Sequence, residues 1–142
     1  MNELASQMLF DAELPRLKRL AASCGWTVNE ASFPVLDVSF GAETVRALRL
    51  RLRADGWNEL PASVELLTPS GVPLAVGAAP RHGVFNQGPH SNGQSRPFVC
   101  MVGSREYHTH TSHLSDSWEN YRQGASLLGL VTQLWHAWRK AQ

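Results

Sequence analysis

Cysteine is scarce in this sequence. Cys24 and Cys100 are the only two among 142 residues, so no disulfide framework is expected. An excess of charge of one sign is also missing. The formal net charge is +1, which provides no bulk field for nucleic acid or for an anionic membrane, and neither is expected as a partner. No apolar run is long enough to cross a bilayer. Met1 to Phe10 lacks the basic start and long apolar centre of a secretory leader. Together these absences predict a cytoplasmic protein whose thiols stay reduced. What is present fits a folded, soluble chain: 43% hydrophobic and 18% charged residues. The length suits one compact domain, taken as residues 1–142.

Taken in order, residues 4–24 read as helical with a break. Leu14, Leu17, Leu20, Ala21 and Cys24 recur at helix spacing. Asp11 is the expected N-cap, which places Pro15 in a first turn, and Gly25 is the expected stop. Cys24 falls on the apolar face and reads as core. Strands are expected over Trp26–Ala31, around Leu36, Val38 and Phe40, over Val45–Arg53 and over Ser63–Thr68. In the third of these, Leu48, Leu50 and Leu52 alternate with Arg49, Arg51 and Arg53. The arginine row is read as the solvated side of an antiparallel sheet in preference to a face for an acidic partner. From Gly71 to Pro97, interleaved glycines and prolines predict a long, irregular connection. Ser115 or Asp116 is expected to cap a short helix through Arg122, and an amphipathic helix is expected from Ala125 to Lys140. Trp135 and Trp138 read as its core anchors. The order of elements predicts an α+β fold.

The chemistry is concentrated between His90 and His113. Four of the six histidines lie there, together with Cys100. The apolar run Phe98-Val99-Cys100-Met101-Val102 is expected to pin Cys100 against the core. A thiolate is a strong nucleophile, and its thioesters are activated acyl carriers. If Glu106-Tyr107-His108-Thr109-His110 is extended, Glu106, His108 and His110 share one face. With Cys100 they then suit a Zn²⁺ site. The same residues also suit proton transfer, a carboxylate orienting an imidazole, or only a hydrogen-bonded surface hairpin. In His90-Ser91-Asn92, the Asn92 amide is a candidate oxyanion donor and His90 a candidate loop support, against a plain turn.

These residues resemble a known family. The order of helix, meander, proline-marked connection, His-x-Asn loop, cysteine and C-terminal helices is similar to the ubiquitin-conjugating (UBC) fold. In that family a His-Pro-Asn motif precedes the catalytic cysteine by ten residues, the offset of His90 from Cys100, with Ser91 in the proline position. Gly56-Trp57-Asn58-Glu59-Leu60-Pro61-Ala62-Ser63-Val64 resembles the entry to the family's fourth strand. A second, narrower resemblance rests on Phe98-Val99-Cys100-Met101, Arg105-Glu106-Tyr107-His108-Thr109-His110, His113-Leu114 and Trp118. These residues are similar to a bacterial Cys-Glu-His-His family, predicted to bind metal and found in phage-defence operons with ubiquitin-like proteins, activating enzymes and JAB-type peptidases.

The two resemblances together imply a bacterial conjugating enzyme with a UBC-like fold. Its partners would be a ubiquitin-like modifier, an activating enzyme and a protein target. Cys100 would carry the modifier as a thioester and Asn92 would stabilise the oxyanion. His108 or His110, oriented by Glu106, would handle the incoming amine. No cofactor is required by that reading. The alternatives are a zinc-binding protein using Cys100, Glu106, His108 and His110, or a catalytically inactive UBC-like binding module.

Overall fold

A computed structural model describes residues 2–42, 44 and 46–141 of the chain. The N-terminal helix α1 spans Glu3–Cys24 without a break. Asn2 caps it, its Oδ1 accepting from the Ala5 N–H at 2.8 Å, and Gly25 closes it at a φ of 76°, as the sequence predicts. The expected start at Asp11 is corrected. Ser6 and Phe10 are buried on the same stripe as Leu17 and Ala21, so packing begins upstream of Asp11 and carries the helix through Pro15.

Four strands follow: β1 (Thr27–Ser32), β2 (Val35–Phe40), β3 (Leu48–Arg53) and β4 (Ser63–Leu67). They form one antiparallel sheet in the order β1-β2-β3-β4. The fold is thus α+β, with an N-terminal helix, a four-stranded antiparallel sheet and C-terminal helices. Strand β3 begins at Leu48, later than expected. Val45, the expected start, and Glu43, in the expected turn before it, lie outside the described residues. Alternation sets the register. Val38, Leu50 and Leu66 stand side by side across three strands, as do Leu36, Leu52 and Val64, all facing the core.

The outer face of the sheet is not simply solvated. Asp37 is fully buried there, and its carboxylate accepts from Arg49 Nε at 2.8 Å, Arg49 Nη2 at 3.0 Å, Arg51 Nε at 3.2 Å and Asn29 Nδ2 at 3.0 Å. Arg53 pairs with Glu65 at 2.8 Å. The arginine row is therefore engaged in ion pairs within the sheet. Burial pushes the Asp37 carboxyl up, but the Arg49 and Asn29 hydrogen bonds and the two guanidinium charges outweigh it and hold it below the usual aspartate range.

Within the glycine- and proline-rich connection, Phe85–Asn86 (β5) pairs antiparallel with Phe98–Val99 (β6). Two short helical turns of the 3-10 type, Trp118–Asn120 and Arg122–Gly124, stand where one helix was expected, and Ser117 caps the first in place of Ser115 or Asp116. The last helix, α3, spans Leu127–Lys140. It starts two residues later than Ala125 because the Ser126 hydroxyl accepts from the Gly129 N–H at 2.9 Å. Leu127, Leu130, Val131 and Leu134 are buried in one core with α1 and the inner face of the sheet. Trp135 and Trp138 are partly buried at its edge, their rings near Trp26 and Phe40. Glu13 joins the layers: one carboxylate oxygen accepts from the Leu127 N–H at 2.7 Å and the other from the Trp57 indole N–H at 2.7 Å.

Because the Asp37 carboxyl is held low in the folded state, its contribution is complete above the ordinary aspartate pKa and disappears as pH falls through the lowered folded value. We expect Asp37→Asn to cost about 2–3 kcal/mol at pH 7, a fall in Tm of roughly 5–10 °C. Thermal melts should show the gap to the parent protein closing below about pH 4. An acid-independent gap would contradict this account.

Candidate active site

Strand β6 delivers Cys100 to the surface. Phe98 and Val99 are fully buried, the Cys100 N–H donates to the Val84 carbonyl at 2.7 Å, and the cysteine itself is half-buried. The chain then turns through Met101–Gly103, with Gly103 at a φ of 103°, a conformation that glycine adopts without a Cβ clash. Ser104, fully buried, accepts from the Tyr107 N–H at 3.2 Å and caps a short helix α2, Arg105–Thr109. Arg105 fastens the start of this helix through its N–H to the Ala62 carbonyl, its Nε to the Pro61 carbonyl and its Nη2 to Asp55.

The helical conformation corrects the extended reading of residues 106–110. On a helix, positions two apart point to nearly opposite sides, so Glu106 and His108 part company. Glu106 is 8% exposed and faces β4. Its Oε1 accepts from the Val64 N–H at 2.9 Å and its Oε2 from the Ser63 hydroxyl at 2.7 Å. Burial pushes this carboxyl above the usual glutamate range, against those two hydrogen bonds. Both oxygens are thus engaged with the sheet, and neither hydrogen-bonds an imidazole. His108 bridges backbone with both ring nitrogens. Nε2 accepts from the Gly103 N–H at 3.1 Å, which leaves Nδ1–H to donate to the Asp116 carbonyl at 2.9 Å. His110 uses Nδ1 as acceptor for the Ser112 N–H and hydroxyl, capping the turn Thr111–His113.

His90 is 2% exposed and locks the preceding loop to α2. Its Nδ1 accepts from the Asn92 N–H at 3.0 Å, so its Nε2–H donates to the Glu106 carbonyl at 2.8 Å. Asn92 is exposed on this turn, its carboxamide oxygen accepting from the Gln94 N–H at 2.9 Å. The amide NH₂ is the donor end that remains for other chemistry.

The thiol has a partner outside the expected set. Cys100 Sγ lies 3.6 Å from His113 Nε2. The His113 ring stacks on Tyr107, centroids 4.1 Å apart and planes 13° apart. The Tyr107 hydroxyl donates to Asp116 Oδ2 at 2.6 Å, and the Tyr121 hydroxyl donates to Asp116 Oδ1 at 2.7 Å. The bond to Asp116 pushes the Tyr107 hydroxyl up to about 12. The two tyrosine hydroxyls hold the Asp116 carboxyl below the usual range, with the ring charges of His108 and His113 adding to the effect. Burial pushes the Cys100 thiol up. In the sequence His113 stood out only within the motif His113-Leu114, with no role assigned to it. What distinguishes it is the turn after α2, which brings it back to Cys100 across thirteen residues.

The same geometry bears on a metal. Among the described residues, no three His, Cys, Asp or Glu side chains converge as ligands of one ion. The donor atoms of Glu106 and His108 are bound to serine, backbone N–H and backbone carbonyl groups. The set Cys100, Glu106, His108 and His110 therefore does not fit a shared zinc ion in this conformation.

A model of the Y4jH family matches residues 84–140. The match spans less than half of the chain, but it contains Cys100, the whole of α2, His113 and α3, and it excludes α1 and the four-stranded sheet. No curated protein matches the chain.

Glu106 thus anchors α2 to β4. Glu106→Ala would leave the Val64 N–H and the Ser63 hydroxyl without a buried acceptor, and we expect a cost of about 2–4 kcal/mol in chemical denaturation. Glu106→Gln can keep both contacts with the serine proton reversed, and should cost less than about 1 kcal/mol. Equal losses in the two variants would argue against the anchoring role.

Proposed function

We propose that this protein has a UBC-like fold and carries a ubiquitin-like modifier as a thioester on Cys100, transferring it to an amine of a protein target. The observation that carries the reading is the setting of the thiol. Cys100 is half-buried at the end of β6, its sulfur meets an imidazole, and it follows a turn that His90 pins in place. A structural cysteine is more commonly sealed in the core without a base beside it. The order of helix, four-stranded meander, pinned turn, cysteine and C-terminal helix resembles that of the UBC fold and supports the reading.

In this reading an activating enzyme presents the modifier as its own thioester. The Cys100 sulfur attacks the carbonyl carbon, a C–S bond forms to Cys100, and the thiolate of the activating enzyme departs. A target amine then attacks the new thioester, a C–N bond forms, and Cys100 leaves as the thiolate. The negative charge on the carbonyl oxygen in each tetrahedral intermediate needs a donor, and the exposed NH₂ of Asn92 is assigned that role. A thiolate leaves more readily than an amine, so the protein supplies chiefly orientation and charge stabilisation. A cleft of about 380 Å³ is lined by Val102 and Gly103, immediately after Cys100, and by Trp118 and Tyr121. It borders the turn after Cys100 and is a candidate groove for an extended chain.

The test combines the full chain with a bacterial ubiquitin-like modifier, its activating enzyme and ATP. The expected product is a thiol-labile adduct, absent in Cys100→Ala and thiol-resistant in Cys100→Ser. An activating enzyme that charges itself yet forms no adduct with the parent protein would overturn the proposal.

A further inference from the structure

We infer that His113 is the proton carrier for Cys100 and that Tyr107 and Asp116 are its positioning residues. This deepens the thioester reading and rests on it for the identity of the acyl group.

The assignment follows from which imidazole nitrogen can reach the sulfur. His108 has one nitrogen on the Gly103 N–H and the other on the Asp116 carbonyl. His90 has both nitrogens between Asn92 and Glu106. His110 directs Nδ1 at Ser112. Among the described residues, only His113 hydrogen-bonds Sγ. A neutral thiol has one proton to give, so Nε2 is the acceptor in the resting pair and Nδ1 bears the ring proton.

Ring position is then set from the other side. Tyr107 lies flat against His113, which fixes the plane of the imidazole. The Tyr107 hydroxyl is held by Asp116, whose other oxygen is held by Tyr121 and whose backbone carbonyl receives His108. Three side chains, those of Tyr107, Tyr121 and His108, therefore converge on Asp116 and hold the support of the His113 ring in place. The titratable groups facing the pair are Tyr107 and His110, with Asp116, His108 and Tyr121 behind them.

The proton balance closes at both steps. As Sγ attacks the incoming thioester, its proton passes to Nε2 of His113. The imidazolium returns that proton to the departing thiolate of the activating enzyme. In the second step a neutral amine adds to the Cys100 thioester and becomes an ammonium, which gives a proton to Nε2. The imidazolium then protonates the Cys100 thiolate as it leaves.

The experiment measures iodoacetamide alkylation of the full-length protein from pH 5.5 to 9 by peptide mass analysis, with Cys24 as internal reference. We expect His113→Ala to slow Cys100 alkylation at pH 7 by at least about tenfold and to move its pH midpoint upward. Tyr107→Phe should preserve most of the rate through stacking, whereas Tyr107→Ala should lose several-fold, about half of the His113→Ala effect on a logarithmic scale. If His113→Ala exposes Cys24 through unfolding, His113→Gln replaces it in the comparison. An unchanged Cys100 rate and profile in a folded His113 variant overturns the inference.

Charging by the activating enzyme separates the two readings. His113-dependent alkylation without any adduct in the parent protein removes the thioester and leaves the pair. An adduct formed at the parental rate in a folded His113 variant removes the pair and leaves the thioester.

Discussion

A carboxylate buried at the junction of α2 and β4 holds the segment after Cys100 to the sheet. Glu106 accepts from the Val64 N–H and the Ser63 hydroxyl, and its own backbone carbonyl receives the His90 ring. One residue thus ties together the fourth strand, the short helix after the cysteine and the loop before it. A five-residue helix has too few internal hydrogen bonds to persist alone. Tertiary anchors must hold it, and Glu106 and Arg105 supply them from adjacent positions. The position of His113, and hence its contact with Cys100, depends on that anchorage because the turn Thr111–His113 follows directly from α2.

The same solution recurs elsewhere in the chain. Asp37 pairs with two arginines on the outer face of the sheet, and Glu13 joins α1 to the first turn of α3 and to Trp57. Each carboxylate meets donors from other elements, so burial is compensated by hydrogen bonds that tie neighbouring strands at Asp37 and distant layers at Glu13. Trp118 contributes a further tie, its indole N–H donating to the Asn58 carbonyl at 2.9 Å while its ring lies near Trp57. Local sequence shapes the elements, and long-range polar contacts place them.

That division explains what could be read without coordinates. The leucine and arginine alternation in β3 revealed the strand because period-two burial is local information. Gly25 and the apolar stripe of α3 were legible for the same reason. The alternation Glu106-x-His108-x-His110 suggested an extended piece as well, and here the local pattern misled. Ser104 as a cap and the pairing of Glu106 with Val64, 42 residues away, outweighed it. Cys100 and His90 could be singled out by residue type and spacing, whereas the partnership with His113 depends on a turn that no periodicity announces.

The lopsided distribution of local and distant contacts has a consequence for motion. Neighbouring strands of the meander are joined in sequence order, whereas the segment from Arg105 to Gly124 is made of a short helix and 3-10 turns held by scattered side-chain ties. Such a segment can open as a unit while the sheet remains intact. Opening would separate the imidazole from the sulfur without unfolding the protein. On the proposed reading, the fraction of molecules with the pair intact is set by the stability of this smaller unit, and global melting temperature would be a poor guide to it.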